Sequence, residues 1–288
     1  MLPHLYLDYA RLGPLSKSAA KLHHGFLSLV AGCPTTPSLI PLLIHGNQTP
    51  ARGIGELPDL AGWRGIHHMK RLCTSTFNAT NDADVYFASR SRSLMRLAAE
   101  MMFRVCTHCL TFDVGWSTYQ CDLGREAARV GKRVSELKIQ RSIFADRWTP
   151  NQLIENVCSQ FEKMRCDGIF LPSVDCLGVR LPVQALIKRL QSVSELRFVV
   201  GDASQAVGHV PLQNDLSRAD LVIGGTHKWL GSYFPLGMAV ASNPNSQFFV
   251  RNTIDGCLNR QQATDGLMYF LRELESNGRF PNPETVDV

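Results

Sequence analysis

Short apolar runs alternate with longer amphipathic stretches along the second half of the chain. The runs Ile169–Leu171, Phe198–Val200 and Leu221–Ile223 have the length and composition of buried strands. Between them, Asn151–Arg165 and Pro182–Leu190 keep their apolar residues on one helical face. Strands that alternate with helices at these intervals form right-handed crossover units. The pattern therefore predicts an α/β fold with a mostly parallel central sheet flanked by helices.

Local signals mark some of the boundaries. Thr149-Pro150 predicts a helix start, because threonine caps helices and proline is tolerated at the first helical position. Asp167-Gly168 is expected to end that helix. Earlier in the chain, another helix is expected to begin near Leu94. The passage from Gly32 to Pro58 is rich in proline and glycine and shows weak periodicity, which indicates irregular structure. Met268 to Leu274 is predicted to form an amphipathic helix.

Composition narrows the class of protein. The chain has 288 residues, 44% of them hydrophobic, which is enough for a large core in one or two domains. The net charge of +5 is mild and no block of lysine and arginine stands out, so no nucleic-acid partner is predicted. We find neither a charged leader with a long apolar stretch nor a long apolar run. The prediction is a soluble, cytoplasmic protein without a membrane partner.

Nine cysteines raise the question of disulfides or a metal site. The odd number, the size of the chain and the lack of a secretion signal all favour reduced thiols. Cys106-Thr107-His108-Cys109 is the one CxxC in the sequence, and no second pair stands at ligand spacing. We therefore predict no metal site.

An aspartate and a lysine follow two neighbouring strand-like runs. Asp202 ends the run that begins at Arg197, and Lys228 follows Ala219–Ile223 and two glycines. Taken alone, Asp202 is typical of a turn or cap, and an isolated lysine is usually a surface charge. Ligands in open α/β sheets bind beyond the carboxyl ends of strands, where both residues are expected. A lysine that forms a Schiff base, with an aspartate that keeps a pyridinium protonated, is typical of a pyridoxal phosphate (PLP) site.

Three segments carry a resemblance to a known family. Asp202–His209, Thr226–Gly231 and the opening Tyr6–Ser16 resemble the class V aminotransferases and cysteine desulfurases, which are fold-type I PLP enzymes. The resemblance implies the large domain of a fold-type I PLP-dependent transferase. It runs from the N-terminus to about Ser242.

The resemblance also implies a division of the chain. Residues 1–25 would be an N-terminal lead-in segment, 26–265 the PLP-binding large domain, and 266–288 the start of a truncated C-terminal small domain. Members of the family continue for about another hundred residues, so most of the small domain is expected to be absent. Whether the chain is a fragment of a longer protein is left open.

Transferred residue by residue, the resemblance implies a cofactor site. Lys228 would be the Schiff-base lysine and would move a proton as general base and acid, and Asp202 would be the partner of the pyridinium nitrogen. Gln205 would donate a hydrogen bond near the phenolic oxygen of the cofactor. His227 and Thr226 would lie beside its phosphate.

Other cofactor contacts are predicted from their place in the fold. Ser89–Ser93 lies where a helix begins and is a candidate phosphate cradle, with Ser91 and Arg92 as the preferred contacts. The arginines depart from the family, which has a small glycine and threonine loop there. Trp116 is placed over the pyridine ring, the alternative being a tryptophan that fills the core. Asp175 is expected to face the substrate or a cofactor oxygen, where the family often has asparagine.

The motif alone does not choose the reaction, because transamination, racemisation, elimination and desulfuration share these groups. We predict a PLP-dependent enzyme acting on an amino acid or amine, most similar to a class V aminotransferase. Arg11 is the candidate for binding the substrate carboxylate, since the family's arginine belongs to the small domain. Desulfuration is disfavoured because Cys257 follows Lys228 too closely to replace the family's reactive cysteine.

Two alternatives remain beside an aminotransferase. One is another PLP-dependent activity of lyase, epimerase or desulfurase type, and the other is a non-catalytic protein with the PLP fold. A dinucleotide-binding dehydrogenase lacks support, because no glycine-rich fingerprint follows the first strand. Asn259–Gly266 corresponds to the loop that relatives offer to the partner's phosphate, although only Thr264 is comparable. The resemblance therefore also implies a homodimer.

Overall fold

The computed structural model describes residues 10–32, 43–46, 62–212, 216–232, 235–260 and 265–277. Within them, a sheet of seven strands has the order β1-β7-β6-β5-β4-β2-β3. Strand β7 runs antiparallel to its two neighbours, and the other pairs are parallel. The strands are β1 (Asp84–Ala88), β2 (His108–Phe112), β3 (Arg133–Leu137), β4 (Gly168–Pro172), β5 (Phe198–Asp202), β6 (Leu221–Gly225) and β7 (Gly237–Ala241).

Helices flank the sheet on both faces. They are α1 (Lys17–Gly32), α2 (Ile66–Thr76), α3 (Ser91–Val105), α4 (Ser117–Arg129), α5 (Gln140–Phe144), α6 (Pro150–Met164), α7 (Val183–Val193), α8 (Pro244–Asn259) and α9 (Gly266–Asn277). The predicted fold class, a mostly parallel α/β sheet covered by helices, is confirmed. Among the described residues, none of these helices is both long and apolar enough to cross a membrane.

The buried strands are apolar on both sides because each side meets a layer of helices. In β4, Ile169 and Leu171 join the cluster formed with α6 and α7, whereas Phe170 joins the opposite cluster with α3, α4 and α8. All five residues of β4 are buried. A strand covered on both faces gains apolar burial at every position, which explains why the sequence shows continuous runs instead of alternation.

The predicted helix start at Thr149 is confirmed as a complete capping box. The Thr149 hydroxyl accepts a hydrogen bond from the backbone N–H of Gln152, and the Gln152 side chain accepts one from the N–H of Thr149. The predicted end at Asp167-Gly168 is wrong. Helix α6 ends at Met164, because Arg165 takes the left-handed conformation with φ 54°.

The residues expected to end α6 instead fix the start of β4. The buried Asp167 carboxylate accepts hydrogen bonds from the backbone N–H groups of Thr107 and His108, which ties it to β2. Gly168 is the first residue of β4, where an added Cβ would lie 2.5 Å from the sulfur of Met102. The helix expected near Leu94 begins earlier, at Ser91.

Several predicted features lie partly or wholly outside the described residues. They are Tyr6–Tyr9 of the opening segment, residues 33–42 and 47–58 of the proline-rich passage, Thr264, and residues 278–288. The predicted helix at Met268–Leu274 is present as part of α9. It lies against β1 and contributes buried Met268 and Leu271 to the core.

The described cysteines are free thiols, and most are buried. Cys106 and Cys109, which form the CxxC pair, are fully buried, and burial raises the pKa of both thiols. Within the described part of the chain, no group of three or more histidine, cysteine and acidic side chains could hold a metal ion. These thiols behave as small apolar core residues.

Candidate functional site

A cavity of about 830 Å³ lies at the carboxyl ends of the central strands. Its walls come from the ends of β4 and β5, the loop after β6, the loop after β2, the start of α3 and residues 10 and 11. Eight of the predicted site residues line it: Arg11, Ser91, Arg92, Trp116, Asp202, Gln205, His227 and Lys228. Because ligands bind at this edge of α/β sheets, the cavity is the candidate active site.

Asp202 and Lys228 form the electrostatic centre of the cavity. Asp202 is the last residue of β5 and only 6% exposed, and its carboxylate accepts a hydrogen bond of 2.8 Å from the backbone N–H of Ser204. Burial raises the pKa of Asp202, while Ser204 and the positive charge of Lys228 act in the opposite direction. Burial lowers the pKa of Lys228, against the attraction of Asp202. Lys228 therefore loses its proton more easily than a surface lysine does, which makes its amine a better nucleophile.

Trp116 stands at the mouth of the cavity. It precedes α4, is 52% exposed, and its ring centroid lies 5.8 Å from Nζ of Lys228. The alternative that this tryptophan fills the core is wrong, since half of its surface is exposed. An indole ring next to the lysine supplies an apolar face for a flat ligand that reaches Nζ.

The start of α3 is the part of the cavity whose groups suit an anion. Arg90, Ser91 and Arg92 line the cavity, and no side chain caps the first turn of the helix, so its N–H groups suit an anion. Gly237 makes this possible, because a Cβ there would lie 2.5 Å from the backbone nitrogen of Ser91. The hydroxyl of Tyr119 donates a 2.7 Å hydrogen bond to Oγ of Ser91.

Arg92 reaches the cavity but is engaged elsewhere. Its guanidinium binds both carboxylate oxygens of Asp122 on α4, at 2.7 and 3.0 Å. Such a bidentate pair fixes the direction of the side chain. Arg90, which precedes Arg92 on the same rim, is therefore better placed for a ligand than Arg92, and the sequence-based prediction of Arg92 as a phosphate contact stays a prediction.

The two residues before Lys228 differ in their positions. His227 lines the cavity, and its buried Nδ1 has no hydrogen-bond partner among the described residues. Burial lowers the pKa of His227, and the charges of Lys228 and Arg90 lower it further, so its ring is neutral near pH 7. Thr226 is buried and does not line the cavity, and its hydroxyl accepts a 2.5 Å hydrogen bond from the Ser232 hydroxyl.

Gln205 uses its amide to hold another part of the chain. Its Nε2 donates to the carbonyl oxygen of Ala10 at 3.0 Å, and its Oε1 accepts from Nε1 of Trp229 at 3.3 Å. Trp229 is stacked on His209, with ring centroids 3.8 Å apart. The predicted contact with a cofactor oxygen stays a prediction.

Residues 10–16, which we call the N-terminal strap, cross the loop that carries Lys228. The N–H of Gly13 donates to the carbonyl of His227 at 2.8 Å, and that of Ser16 donates to the carbonyl of Gly231 at 3.0 Å. This arrangement brings Arg11 to the cavity rim. A Cβ on Gly13 would lie 1.6 Å from the carbonyl oxygen of Lys228, so only glycine fits there.

Replacing Gly13 with alanine should therefore detach the strap. We expect faster amide hydrogen exchange at Ser16 and its neighbours in Gly13→Ala, measured by mass spectrometry. Gly124→Ala is the matched control, because a Cβ at this position in α4 meets nothing within 4 Å. It should leave strap exchange unchanged and stabilise the helix by about 0.5–1 kcal/mol. Equal strap exchange in both variants would contradict the close approach of Gly13 to Lys228.

Asp175 does not line the cavity. Its side chain is 1% exposed, and Oδ1 accepts hydrogen bonds from the backbone N–H groups of Leu177 and Val179, at 2.9 and 2.8 Å. Burial raises the pKa of this carboxyl group. Asp175 therefore closes its own turn after β4, while Cys176 beside it lines the cavity.

The lining of the cavity also includes Arg90, Tyr119 and Ser204. Arg90 belongs to the predicted cradle Ser89–Ser93 without being one of its preferred contacts, and the other two were not among the predicted site residues. Ser204 lies inside the motif that begins at Asp202 and is 7% exposed, and its side chain is close enough to the Asp202 carboxyl group to lower its pKa. Tyr119 follows Trp116 by about one helical turn, and this spacing is the sequence signal that places the two side chains near each other. Burial raises the pKa of Tyr119, as does the nearby charge of Asp202.

Solved structures with a similar fold include aminotransferases and cysteine desulfurases. A ureidoglycine-glyoxylate aminotransferase from Bacillus subtilis has 18% identity and a TM-score of 0.55, with 85% of this chain and 57% of that chain covered. A cysteine desulfurase from Thermococcus onnurineus has 12% identity and a TM-score of 0.58, with 84% and 54% covered. The cysteine desulfurase CsdA from Escherichia coli has 15% identity and a TM-score of 0.57, with 84% and 54% covered.

These similarities establish the fold alone, which is the α/β fold of these aminotransferases and cysteine desulfurases. The chain spans just over half the length of each of these structures. No family model and no curated protein matches the sequence.

Proposed function

We propose that this chain is a PLP-dependent enzyme that acts on an amino acid or amine, with aminotransferase activity as the first choice. The observation that carries the proposal is that Lys228 and Asp202 line the same cavity. Asp202 ends β5, and Lys228 lies in the loop after the neighbouring strand β6. The solved structures of similar fold include aminotransferases and desulfurases, which agrees with this class.

The residues present suit PLP in chemistry and arrangement. The cofactor has an aldehyde, a basic ring nitrogen and a phosphate, and the cavity offers an amine, a buried carboxylate and a helix start flanked by Arg90. The buried Nδ1 of His227 has no hydrogen-bond partner among the described residues, so it has hydrogen-bonding capacity left for a ligand. A volume of about 830 Å³ is within the range of sites for small ligands and cofactors.

Each residue has a role that follows from its position. PLP, when bound, supplies the electron sink that acidifies the α-carbon of an amino substrate. Lys228 would hold the cofactor covalently through Nζ and then move a proton between Nζ and the substrate carbon. Asp202 would keep a proton on the ring nitrogen, and Trp116 would shield one side from water. Arg11, presented by the N-terminal strap, would bind the substrate carboxylate.

The direct test is to reduce the protein with borohydride after incubation with PLP and to map the labelled peptide. We expect a visible absorption band that borohydride removes and a stable label on Lys228. An amino-acid screen that follows the same band would then identify the substrate. A label spread over surface lysines, with no band, would reject the proposal.

A second candidate is a protein that binds PLP without turnover. It is favoured by the engagement of two predicted contacts with protein groups, Gln205 with Ala10 and Arg92 with Asp122. The two functions differ in the screen, since a non-catalytic protein would show the labelled Lys228 but no spectral change with any amino acid or amine. A lyase, epimerase or desulfurase would be separated from an aminotransferase by product analysis.

We further propose that the chain forms a homodimer, as the resemblance to class V aminotransferases and cysteine desulfurases implies. Sedimentation velocity over a range of concentrations tests this. A species of twice the chain mass is expected, and a monomer at every concentration would reject the proposal.

A further inference from the structure

A buried carboxylate outside the cavity fixes the loop that leads into α3. Asp265 is 4% exposed and directly precedes α9. Its two oxygens accept hydrogen bonds from the backbone N–H of Ser89, at 3.1 and 3.0 Å, and one of them accepts from the Ser89 hydroxyl. Oδ1 also accepts from the N–H of Met268 at 3.1 Å and so caps α9.

Burying a carboxylate is unfavourable unless hydrogen bonds from the protein replace those that it makes with water. In the described part of the chain, Asp265 takes part in no ion pair, and its donors are Ser89 and the first turn of α9. One side chain thus joins two segments that lie 176 positions apart in sequence. Capping of α9 requires only one acceptor, so the hydrogen bonds to Ser89 are not needed for the cap.

Ser89 leads directly into the part of the cavity whose groups suit an anion. Arg90 and Ser91 follow it in sequence, and both line the cavity. Gly237 lies against the backbone of Arg90 and Ser91, where an added Cβ would be 2.5 Å away. Asp265 and Gly237 therefore hold the loop at adjacent points, and Asp265 is the one that does so through a charged group.

We propose that Asp265 is a positioning residue for the anion-binding start of α3, so that affinity for the phosphate group of the ligand depends on it. This inference rests on the proposed function, because the phosphate is that of PLP. Asp265 itself does not line the cavity and would act only through Ser89. Its effect should therefore be confined to ligands that carry the phosphate.

The test compares the affinity of the full chain for PLP with its affinity for pyridoxal, which lacks the phosphate. In Asp265→Ala, the dissociation constant for PLP should rise about tenfold, the size expected when a hydrogen-bonded charged group is removed. That for pyridoxal should change less than about twofold, because its ring and aldehyde do not use the start of α3. Ser89→Ala removes only the hydroxyl, so it should show a smaller loss with the same selectivity.

Two further variants separate positioning from stability. Asp265→Asn keeps a good capping residue but loses the charge, so it should retain α9 and still weaken PLP selectively. Thr149→Ala removes the cap of α6, away from the cavity, and should leave the ratio of the two affinities at the wild-type value. Should Asp265→Ala not fold, Asp265→Asn and Ser89→Ala carry the test.

The outcomes distinguish this inference from the proposed function. If wild-type protein binds PLP tightly and the Asp265 and Ser89 variants keep the wild-type ratio, or weaken both ligands equally, the positioning role is wrong and the proposed function stands. If wild-type protein binds neither ligand, the proposed function itself fails. A selective loss for PLP in these variants, absent from Thr149→Ala, supports the positioning role.

Discussion

Lys228→Ala is expected to abolish covalent binding of PLP and to reduce turnover by on the order of 10⁴-fold. The variant lacks both the amine that holds the cofactor and the group that moves the substrate proton, and general acid–base catalysis alone contributes 10²–10⁴-fold. It also removes the positive charge that lowers the pKa of the buried Asp202 carboxyl group. The visible band that borohydride removes should be absent from this variant at any PLP concentration.

Two comparisons show whether the loss is chemical. Lys228→Arg keeps a positive charge near Asp202 but cannot form an imine, so it should lose the band as Lys228→Ala does. Lys163→Ala changes an exposed lysine on α6 and should keep the band and the activity. A borohydride-stable label in Lys228→Ala, located at one other lysine, would show that the covalent site had been assigned to the wrong residue.

Asp202→Asn should still bind PLP but turn over on the order of 100- to 1,000-fold more slowly. A neutral amide has about the same size as the carboxyl group and can still accept from the N–H of Ser204, so the cavity should keep its shape. It cannot keep the ring nitrogen protonated, and loss of such electrostatic stabilisation in a buried site has this magnitude. Steady-state kinetics with the substrate found in the screen would measure the change.

The same substitution should raise the melting temperature at neutral pH. Burial raises the pKa of Asp202, so the folded state binds its proton more tightly than the unfolded chain does. Ionisation of Asp202 therefore destabilises the fold as the pH rises above the unfolded pKa of about 3.9. Asp202→Asn removes this loss, and its advantage over the wild type should vanish as the pH falls below about 4.

Asp220→Asn is the matched control for Asp202→Asn. Asp220 is a half-buried aspartate whose pKa is likewise raised by burial, but its carboxylate accepts hydrogen bonds from Ser246 and the backbone N–H of Val199, and it does not line the cavity. Turnover should stay at the wild-type level in Asp220→Asn. If the activity of Asp202→Asn matched that of this control, Asp202 would have no part in the chemistry.

The sequence predicts the structural features that depend on adjacent residues or on where a strand ends. Buried strands such as β5 appear as short apolar runs, and parallel strands place whatever follows them at one edge of the sheet. For this reason the sequence alone predicts that Asp202 and Lys228 lie in the same site. The start of α6 is likewise predictable from the sequence, because Thr149 and Gln152 form a local capping motif.

Long-range side-chain pairs could not be read in this way. The Gln205 amide bonds to Ala10, which lies 195 positions away, and Arg92 pairs with Asp122 on a different helix. Each of these residues was expected to meet a ligand because its own surroundings in sequence suit one. Which partner such a side chain meets depends on how helices and loops are placed around the sheet, and short segments carry no record of that.

The N-terminal strap imposes an order on how the protein is made. Gly13 meets His227, more than two hundred residues later in the chain, so the strap leaves the ribosome long before its docking site exists. Contacts this far apart in sequence close late, because loop closure must precede them. Arg11 thus joins the cavity only after the sheet and the Lys228 loop have formed. A nascent chain that stops short of this loop would lack the docking site of the strap, so Arg11 would have no fixed place at the rim of the cavity.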